Sequence, residues 1–314
     1  MTRAPIRIVP QEEIAGGLKE PPAFRLPELA SLFVDRAARF DALAAAGAGE
    51  PAFMRLMAQL ARAQHKALDS HPLPALPDTA HLERCRTHGL PPLGTDTPLD
   101  ASWRSAMQSI TQTLRADVPA PVQRILADIE RMDAAVLDAQ ASRLLSLDFP
   151  ALDAVAAPFI GAALQVHWVK RAAALAALGG GEFRKLDVPT LCPVCGSPPI
   201  ASVLRVNVPV PGTRYLHCVL CATDWHMSRG FCSQCEAQEK LVYYHIDSGN
   251  EASEAVKGEA CKECLGYIKS LNQEKEPQLD PVADDLATLS LDILMDESGY
   301  QRASPNFFFV PGQG

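Results

Sequence analysis

Eight of the nine cysteines of this chain form four Cys-x-x-Cys pairs within residues 192–264. The two thiolates of such a turn can bind one metal ion, and two turns together complete a tetrahedral site with four sulfur ligands. The sequence therefore predicts two metal sites. Their candidate ligands are Cys192, Cys195, Cys218, Cys221, Cys232, Cys235, Cys261 and Cys264.

The four pairs can share metals in sequential or in interleaved order. Loops of similar length follow the first and the third pair, so we predict sequential pairing, in which each site closes around its own hairpin. Gly196 follows the first pair and can adopt the positive φ that such turns often need. Ala222, Glu236 and Leu265 follow the other pairs, so those turns must differ or carry strain.

The number of pairs favours metal binding over a thioredoxin-like redox role. Disulfides are disfavoured because no secretory signal is visible, and the three-cysteine runs typical of ferredoxins are missing. Zinc and a single iron ion both accept four sulfurs in a tetrahedron, so the ligands alone leave the metal open. A closed four-ligand site has no free position for a substrate, which favours a structural role over catalysis.

Four histidines are further candidates for metal chemistry. His81 and His88 flank the ninth cysteine, Cys85, at the spacing of one helix face, which would suit a metal site; we favour a solvated segment instead. His217 lies beside the second cysteine pair, as does His226. Both are candidate hydrogen-bond donors to the thiolates, with polar surface residues as an equal alternative.

The sequence contains no glycine-rich phosphate loop, no nucleophile elbow and no pair of carboxylates in a setting typical of acid–base catalysis. We interpret Asp284 and Asp285 as a solvated face near the start of a helix. Tyr243, Tyr244 and Trp225 form either a partner surface or the small core of the cysteine-rich region, and we favour the core. The chain is not predicted to be an enzyme.

The charge of the chain bears on its partners. The 314 residues carry a formal charge of −8, and 47% of them are hydrophobic, as is typical of a globular protein. Two divalent ions bound by eight thiolates would bring the charge to about −12. Nucleic-acid-binding proteins usually present a basic patch, so we expect no nucleic-acid partner.

Location is predicted from two segments. Residues 1–13 lack the apolar segment of a secretory signal, so we expect a cytoplasmic protein with reduced thiols. The most apolar stretch, residues 151–178, contains Asp153, Lys170 and Arg171, whereas a membrane span needs about 20 residues with few or no charges. We predict a buried helix there and no membrane insertion.

The first half of the chain is predicted to be helical. The proline-rich residues 71–99 cannot form one helix, and Gly179–Gly181 should end the buried helix at a domain boundary. Apolar residues repeat at helical spacing in three sets. The sets are Leu26, Leu29, Phe33, Ala37 and Phe40; Trp103, Met107, Ile110 and Leu114; and Val122, Ile125, Ile129 and Met132.

After residue 188, apolar and polar residues alternate as in half-buried strands. A unit of cysteine pair, strand, turn, strand and cysteine pair occurs and is then repeated, which indicates two tandem modules. The predicted elements are strands over 204–210, 214–217 and 240–246, turns over 211–213 and 248–250, and a last helix over 281–295.

These patterns predict an α+β protein. An N-terminal all-α domain at residues 1–180 precedes two tandem four-cysteine metal modules of the rubredoxin-like or zinc-ribbon-like type. We place the first module at residues 187–225 and the second, with a C-terminal helix and tail, at 226–314. The tail contains Phe307–Phe309, which we expect to dock on an apolar surface that the sequence does not identify.

Five segments of the second half together resemble the formate dehydrogenase accessory protein family, FdhE. The resemblance is specific from about residue 187 to the end, and over the helical half it depends on length and helical character. The segments are Leu191–Pro199 (LCPVCGSPP), Arg214–His226 (RYLHCVLCATDWH), Cys232–Glu236 (CSQCE), Ala283–Ala287 (ADDLA) and Pro305–Gly312 (PNFFFVPG).

The resemblance implies a cytoplasmic accessory protein, a chaperone or maturation factor required for formate dehydrogenase activity. Its implied partner is the molybdenum- or tungsten-containing catalytic subunit, bound before export. It also implies rubredoxin-like metal binding by all eight paired cysteines, with iron as the expected ion and zinc as the alternative. Two other functions stay open, namely electron transfer to formate dehydrogenase and, less favoured, nucleic-acid binding by a zinc ribbon.

Overall fold

The computed structural model describes residues 20–96, 99–179, 181, 183–247 and 254–310. The predictions for residues 1–13, 180, 248–250 and 311–312 concern positions outside this description. The helices are α1 (Leu32–Ala46), α2 (Pro51–Ser70), α3 (Thr79–His88), α4 (Trp103–Leu114), α5 (Ala120–Arg131), α6 (Ala134–Ser146), α7 (Ala157–Ala177), α8 (Ala283–Ala287) and α9 (Leu289–Glu297). The strands are β1 (Phe24–Arg25), β2 (Pro199–Arg205), β3 (Thr213–Cys218), β4 (Asp224–His226), β5 (Leu241–Tyr244), β6 (Val256–Cys261), β7 (Gly266–Asn272) and β8 (Gln301–Arg302). The α+β class is thus confirmed.

Helix α7 is the centre of the helical half. It is apolar on all sides, which is typical of a helix enclosed by others, and it packs against α2, α4 and α6. Its start carries Pro158 in the first turn, where proline is tolerated, and Gly179 follows its end with a φ of +134°. The predicted buried helix is therefore confirmed. Within the described part of the chain, no helix has the length and apolar character needed to span a membrane.

The other helices were only partly predicted. Helices α4 and α5 contain most of the apolar residues predicted at helical spacing from Trp103 and from Val122. In the set predicted from Leu26, both Leu26 and Leu29 precede the start of α1. Helix α3 lies within the proline-rich residues 71–99. Asp78 caps its start by accepting a hydrogen bond from the His81 amide at 2.7 Å, and Gly89, with a φ of +62°, ends it.

One eight-stranded sheet contains the strands of both cysteine modules. Its order is β1-β4-β3-β2-β7-β6-β5, and β8 pairs with β7. The pairs β2–β3, β3–β4, β5–β6 and β6–β7 are antiparallel, whereas β7 and β8 run parallel. Strands β2 and β7 also run parallel, with Ala201 opposite Lys269 and Leu204 opposite Asn272. The two hairpins expected to be separate are therefore hydrogen-bonded to each other through these strands.

Two elements differ most from their predicted bounds. Strand β2 ends at Arg205 instead of covering residues 204–210, because Pro209 and Pro211 have no N–H to donate to a strand ladder. The predicted last helix divides into α8 and α9 at Thr288. There, Lys269 Nζ donates to the carbonyl of Thr288 at 3.0 Å, which satisfies a carbonyl at the break.

The interpretation of Asp284 and Asp285 as a solvated face is wrong, because both are buried. Asp284 accepts a hydrogen bond of 2.7 Å from Arg39, yet burial raises its pKa to about 6. Asp285 lies 3.2 Å from Lys269 Nζ and also accepts a hydrogen bond from Arg302. Buried charges need such partners, and these come from α1, β7 and β8.

The C-terminal tail docks, as expected, and the surface that it docks on is the helical half. Phe307 and Phe308 are buried, whereas Phe309 is 41% exposed. Phe307 lies against Gly161 of α7, where an added Cβ would be only 2.8 Å from the Phe307 Cβ. The tail thereby ties the end of the chain to its most buried helix.

Candidate metal centres

The structure assembles the eight paired cysteines into two groups of four. Each group combines two consecutive pairs, so the predicted sequential order is confirmed. All eight are free thiols rather than disulfides. The first cysteine group consists of Cys192, Cys195, Cys218 and Cys221, and the second cysteine group consists of Cys232, Cys235, Cys261 and Cys264.

The sulfur–sulfur distances show whether each group fits a metal ion. Four sulfurs about 2.3 Å from a central ion are about 3.8 Å apart, whereas the sulfurs of a disulfide are about 2.05 Å apart. Both groups therefore fit a tetrahedral ion with four sulfur ligands. The Sγ–Sγ distances are 3.5 Å for Cys192–Cys221, 3.4 Å for Cys195–Cys218, 3.7 Å for Cys232–Cys264 and 3.8 Å for Cys235–Cys261.

All four turns place the residue after their second cysteine at a positive φ. The residue after the second cysteine has a φ of +74° at Gly196, +55° at Ala222, +60° at Glu236 and +57° at Leu265. Ala222, Glu236 and Leu265 were expected either to form a different kind of turn or to carry strain, and the positive φ values show that they carry strain. A left-handed conformation costs a residue with a Cβ about 1–2 kcal/mol.

The turns direct backbone N–H groups at sulfur. The amides of Leu220 and Cys221 each lie 3.4 Å from Cys218 Sγ, and the Gln234 amide lies 3.4 Å from Cys232 Sγ. Donors of this kind stabilise the thiolate form, which is the form that binds a metal.

One thiol in each group has a pKa below that of an ordinary cysteine. Burial acts to raise the pKa of Cys195, but hydrogen bonds from Cys192, Cys218 and other neighbours lower it well below its ordinary value. Burial likewise acts to raise the pKa of Cys261, and the backbone N–H groups of its own turn lower it. Burial raises the pKa of Cys192 and Cys218 in the first group and of Cys232 and Cys264 in the second, so one thiol in each group ionises most readily.

The first cysteine group lies inside the main hydrophobic core, and none of its four cysteines is more than 1% exposed. The helical half holds both of its turns. The Leu93 amide donates to the carbonyl of Val194 at 2.9 Å, and Gln165 Nε2 of α7 donates to the carbonyl of Val219 at 2.6 Å. The core of the protein and the first group are therefore one packed unit.

Two hydroxyl groups also lie beside the first group. Ser197 Oγ is 3.4 Å from Cys195 Sγ, and Thr223 Oγ1 is 3.2 Å from Cys221 Sγ. When the sulfurs are thiolates, these hydroxyls can act as the donors. Both occur two residues after the second cysteine of their turn.

The second cysteine group lies at the surface. Cys232 and Cys261 are buried, but Cys235 and Cys264 are exposed. The Gln234 side chain crosses the backbone of Gly266 so closely that a Cβ there would lie 2.1 Å from it. This group is therefore covered on one side and open to solvent on the other.

The hydrogen bond of His217 goes to a carboxylate rather than to a thiolate. Its Nδ1 lies 2.7 Å from Asp224 Oδ1, which also accepts from Arg205 at 2.9 Å. Burial lowers the pKa of His217 and acts to raise that of Asp224, but Arg205 and His217 hold the Asp224 pKa well below its ordinary value. His226 packs against the Tyr215 ring, 6.0 Å between centroids.

The possible metal site around Cys85 is not assembled. His81 Nε2 lies 3.3 Å from Cys85 Sγ, but within the described residues only the two four-cysteine groups bring three or more potential ligands together, so His88 stays apart. Cys85 is also buried, so the favoured alternative of a solvated segment is wrong at this residue.

The aromatic residues divide between core and surface. Trp225 is buried, and its Nε1 donates to the carbonyl of Pro189 at 2.8 Å, as expected of a core residue. Tyr243 and Tyr244 are 51% and 39% exposed, so the expectation of a core position is wrong for them.

Sequence analysis missed two polar contacts that position the modules. Gln165 is a polar residue within the apolar residues 151–178, and a buried amide of this kind must have a hydrogen-bonding partner, which is here the Val219 carbonyl. Arg214 and Glu259 form a buried ion pair between β3 and β6. Their sequence context gave no clear signal, because β3 also contains Thr213 and His217 and β6 also contains Lys257.

Comparison with known proteins extends over nearly the whole chain. Residues 21–179 match the family model described as FdhE, N-terminal, residues 191–229 match the FdhE central domain, and residues 231–309 match the FdhE C-terminal domain. The Protein FdhE homolog of Enterobacter sp. (strain 638) is 37% identical over 315 residues, covering 98% of this chain and 99% of the relative. Protein FdhE of Escherichia coli O157:H7 is 36% identical over 315 residues with the same coverage. The crystal structure of the FdhE protein from Pseudomonas aeruginosa has a TM-score of 0.82 and 36% identity, and the match covers 93% of this chain and 100% of that one.

Proposed function

Because the chain belongs to the FdhE family of formate dehydrogenase accessory proteins, we propose that it is a cytoplasmic maturation factor that binds the formate dehydrogenase catalytic subunit before export. The observation that carries the proposal is the match to all three FdhE family models, with both four-cysteine groups intact. A closed site of four thiolates offers no open coordination position, which supports a binding role rather than catalysis.

We also propose that the eight paired cysteines bind two metal ions, with iron as the expected ion and zinc as the alternative. A bound ion cross-links two turns that are far apart in sequence, and binding of this kind contributes directly to folding free energy. The Ser197 and Thr223 hydroxyls and the amides of the turns would donate to the thiolates. The division into a helical domain (1–180) and two modules (187–225 and 226–314) is part of the same proposal.

Co-purification tests the proposed partner. The full chain, tagged and metal-loaded, is expressed together with the formate dehydrogenase catalytic subunit, and we expect the subunit to be retained. If neither the metal-loaded nor the metal-stripped chain retains the subunit, the proposal fails.

Electron transfer is a second candidate, favoured by the exposure of Cys235 and Cys264. An exposed sulfur ligand would let a redox partner approach an iron site closely. This role predicts visible absorption from a ferric four-thiolate site whose reversible reduction changes formate dehydrogenase activity. Purified protein that contains only zinc and has no visible absorption would rule it out.

A further inference from the structure

The two cysteine groups have the same ligands and the same turn geometry but opposite surroundings. The first group is enclosed in the core, whereas Cys235 and Cys264 of the second group are exposed. A chelator or a thiol-directed reagent must reach the ion or a sulfur atom before it can react. The two groups therefore differ in whether such molecules can reach them in the folded protein.

The residues between the paired cysteines explain this difference. Pro193-Val194 and Val219-Leu220 occupy the turns of the first group, and Val194, Val219 and Leu220 are at most 1% exposed. Ser233-Gln234 and Lys262-Glu263 occupy the turns of the second group, where Gln234 and both charged residues are exposed. Apolar turns gain free energy by entering the core, and charged turns stay in water.

The contacts of the turns determine what must break before each group opens. Both turns of the first group are held by the helical half, through the carbonyls of Val194 and Val219. The second group is held within its own module, for example by the Lys262 amide, which donates to the Lys240 carbonyl at 3.0 Å. Opening the first group requires separation of helices and sheet, whereas the second can open locally.

We propose that the second cysteine group is the site at which a metal ion passes between this protein and ligands in solution. The first group, in contrast, keeps its ion as a fixed part of the core. The inference rests on the proposed binding of one metal ion by each group. Exchange is a ligand substitution. The incoming chelator would donate electron pairs to the ion as the exposed sulfurs of Cys235 and Cys264 leave first and those of Cys232 and Cys261 leave next, and each leaving thiolate can take a proton from water. No electron is transferred, and the oxidation state of the ion is unchanged.

Metal release from the zinc-loaded full chain tests the proposal. Metal analysis first counts the bound ions, and an excess of 4-(2-pyridylazo)resorcinol then removes them while its absorbance is followed. We expect two ions per chain, one released at least about tenfold faster than the other, because local opening needs less free energy than separation of the domains. The double variant Cys235→Ser/Cys264→Ser should bind one ion and show only the slow phase. Equal rates for both ions, or a fast phase that survives in the double variant, would overturn the proposal.

A variant of α7 tests the reason given for the slow phase. Gln165→Leu removes the hydrogen bond to the Val219 carbonyl and should speed release from the first group while leaving the fast phase unchanged. Circular dichroism establishes that the variant is folded. Faster release from both groups to the same extent would contradict the assignment of the slow phase to the first group.

Alkylation of the chain as purified gives a measurement that depends on no variant. A limiting amount of iodoacetamide is added, the thiolate sulfur attacks the methylene carbon, iodide leaves, and peptide mass spectrometry locates the labelled residues. Cys235 and Cys264 should be labelled first, and Cys192 and Cys218 only after urea is added. Early labelling of the first group would overturn the proposal. Fewer than two ions per chain would instead refute metal binding by both groups, and the order of labelling would still decide which group is accessible.

Discussion

The ion pair between Arg214 and Glu259 joins the two cysteine modules. Both side chains are only 2% exposed. Arg214 also donates to Ser202 Oγ at 2.9 Å and to the carbonyls of Ser228 and Phe231 at 3.2 and 3.1 Å. One guanidinium thus holds together β3, β2, β6 and the segment between β4 and β5.

The change Arg214→Met removes this charge and its donors while keeping much of the side-chain volume. It leaves the Glu259 carboxylate buried without a counter-charge, and loss of one partner of a buried ion pair costs about 3–5 kcal/mol. We therefore expect the unfolding free energy of the sheet to fall by about 4 kcal/mol at pH 7. Adding Glu259→Leu removes the unpaired charge, so the double variant should recover much of this loss.

The effect should also depend on pH. Burial already raises the pKa of Glu259 above its ordinary value of 4.5, although Arg214 acts to lower it. Without Arg214 this pKa rises further, and the folded variant then binds a proton that the unfolded chain does not. The destabilisation is therefore full above the raised pKa and becomes smaller as the pH falls toward 4.5.

Hydrogen exchange at increasing urea concentration, read by mass spectrometry on peptides from β3 and β6, measures the local free energy of opening. The matched control is Arg131→Met, since Arg131 is 75% exposed and its pair with Asp128 should contribute at most about 0.5 kcal/mol. A loss below about 1 kcal/mol in Arg214→Met, or a double variant no more stable than the single one, would refute a stabilising role for this pair.

Three further predictions concern stability. Burial lowers the pKa of His71 to about 4 and that of His167 to about 3, so below pH 6.5 the unfolded chain binds more protons than the folded chain. As the pH falls, each histidine should therefore lower the unfolding free energy by up to about 1.4 kcal/mol per pH unit. When both are changed to Gln, urea unfolding should show a smaller difference in unfolding free energy between pH 7 and pH 5. Glu236→Gly should raise the unfolding free energy of the zinc-loaded chain by up to about 1 kcal/mol, because glycine tolerates the φ of +60°, and a lower urea midpoint would contradict this. Phe307→Ala should lower the unfolding free energy by about 3–5 kcal/mol, and Phe309→Ala should lower it by less than about 1 kcal/mol, because only Phe307 is buried. Thermal unfolding measures both changes, and equal effects would disprove the described docking of the tail.

Local features were predictable because nearby residues determine them. A Cys-x-x-Cys turn needs only its own residues and the one that follows, so the four turns and their sequential pairing could be predicted. Helix α7 was equally visible, because a long apolar run with a glycine stop encodes a buried helix without reference to the rest of the chain.

Features that depend on distant residues were not predictable. The parallel pairing of β2 with β7 joins residues 201–204 to 269–272, and no pattern within either segment specifies the other. Asp285 of α8 was interpreted as a solvent-facing acid because its partners are not near it in sequence: Lys269 lies on β7 and Arg302 lies on β8. The prediction of a strand over 204–210 was wrong for a local reason. Apolar residues alternate there as in a strand, but Pro209 interrupts the alternation and has no N–H to donate.

The difference between the two cysteine groups has an electrostatic counterpart. A divalent ion with four thiolates carries a charge of about −2, and such a charge is costly to bury unless donors surround it. In the first group, Ser197 and Thr223 place hydroxyls beside the sulfurs, two residues after the second cysteine of each turn. The equivalent positions of the second group are Ala237 and Gly266, which have no hydroxyl. Water can donate to the exposed sulfurs there, so the second group needs no such side chains. The same solvent that stabilises its charge also gives competing ligands a route to its ion.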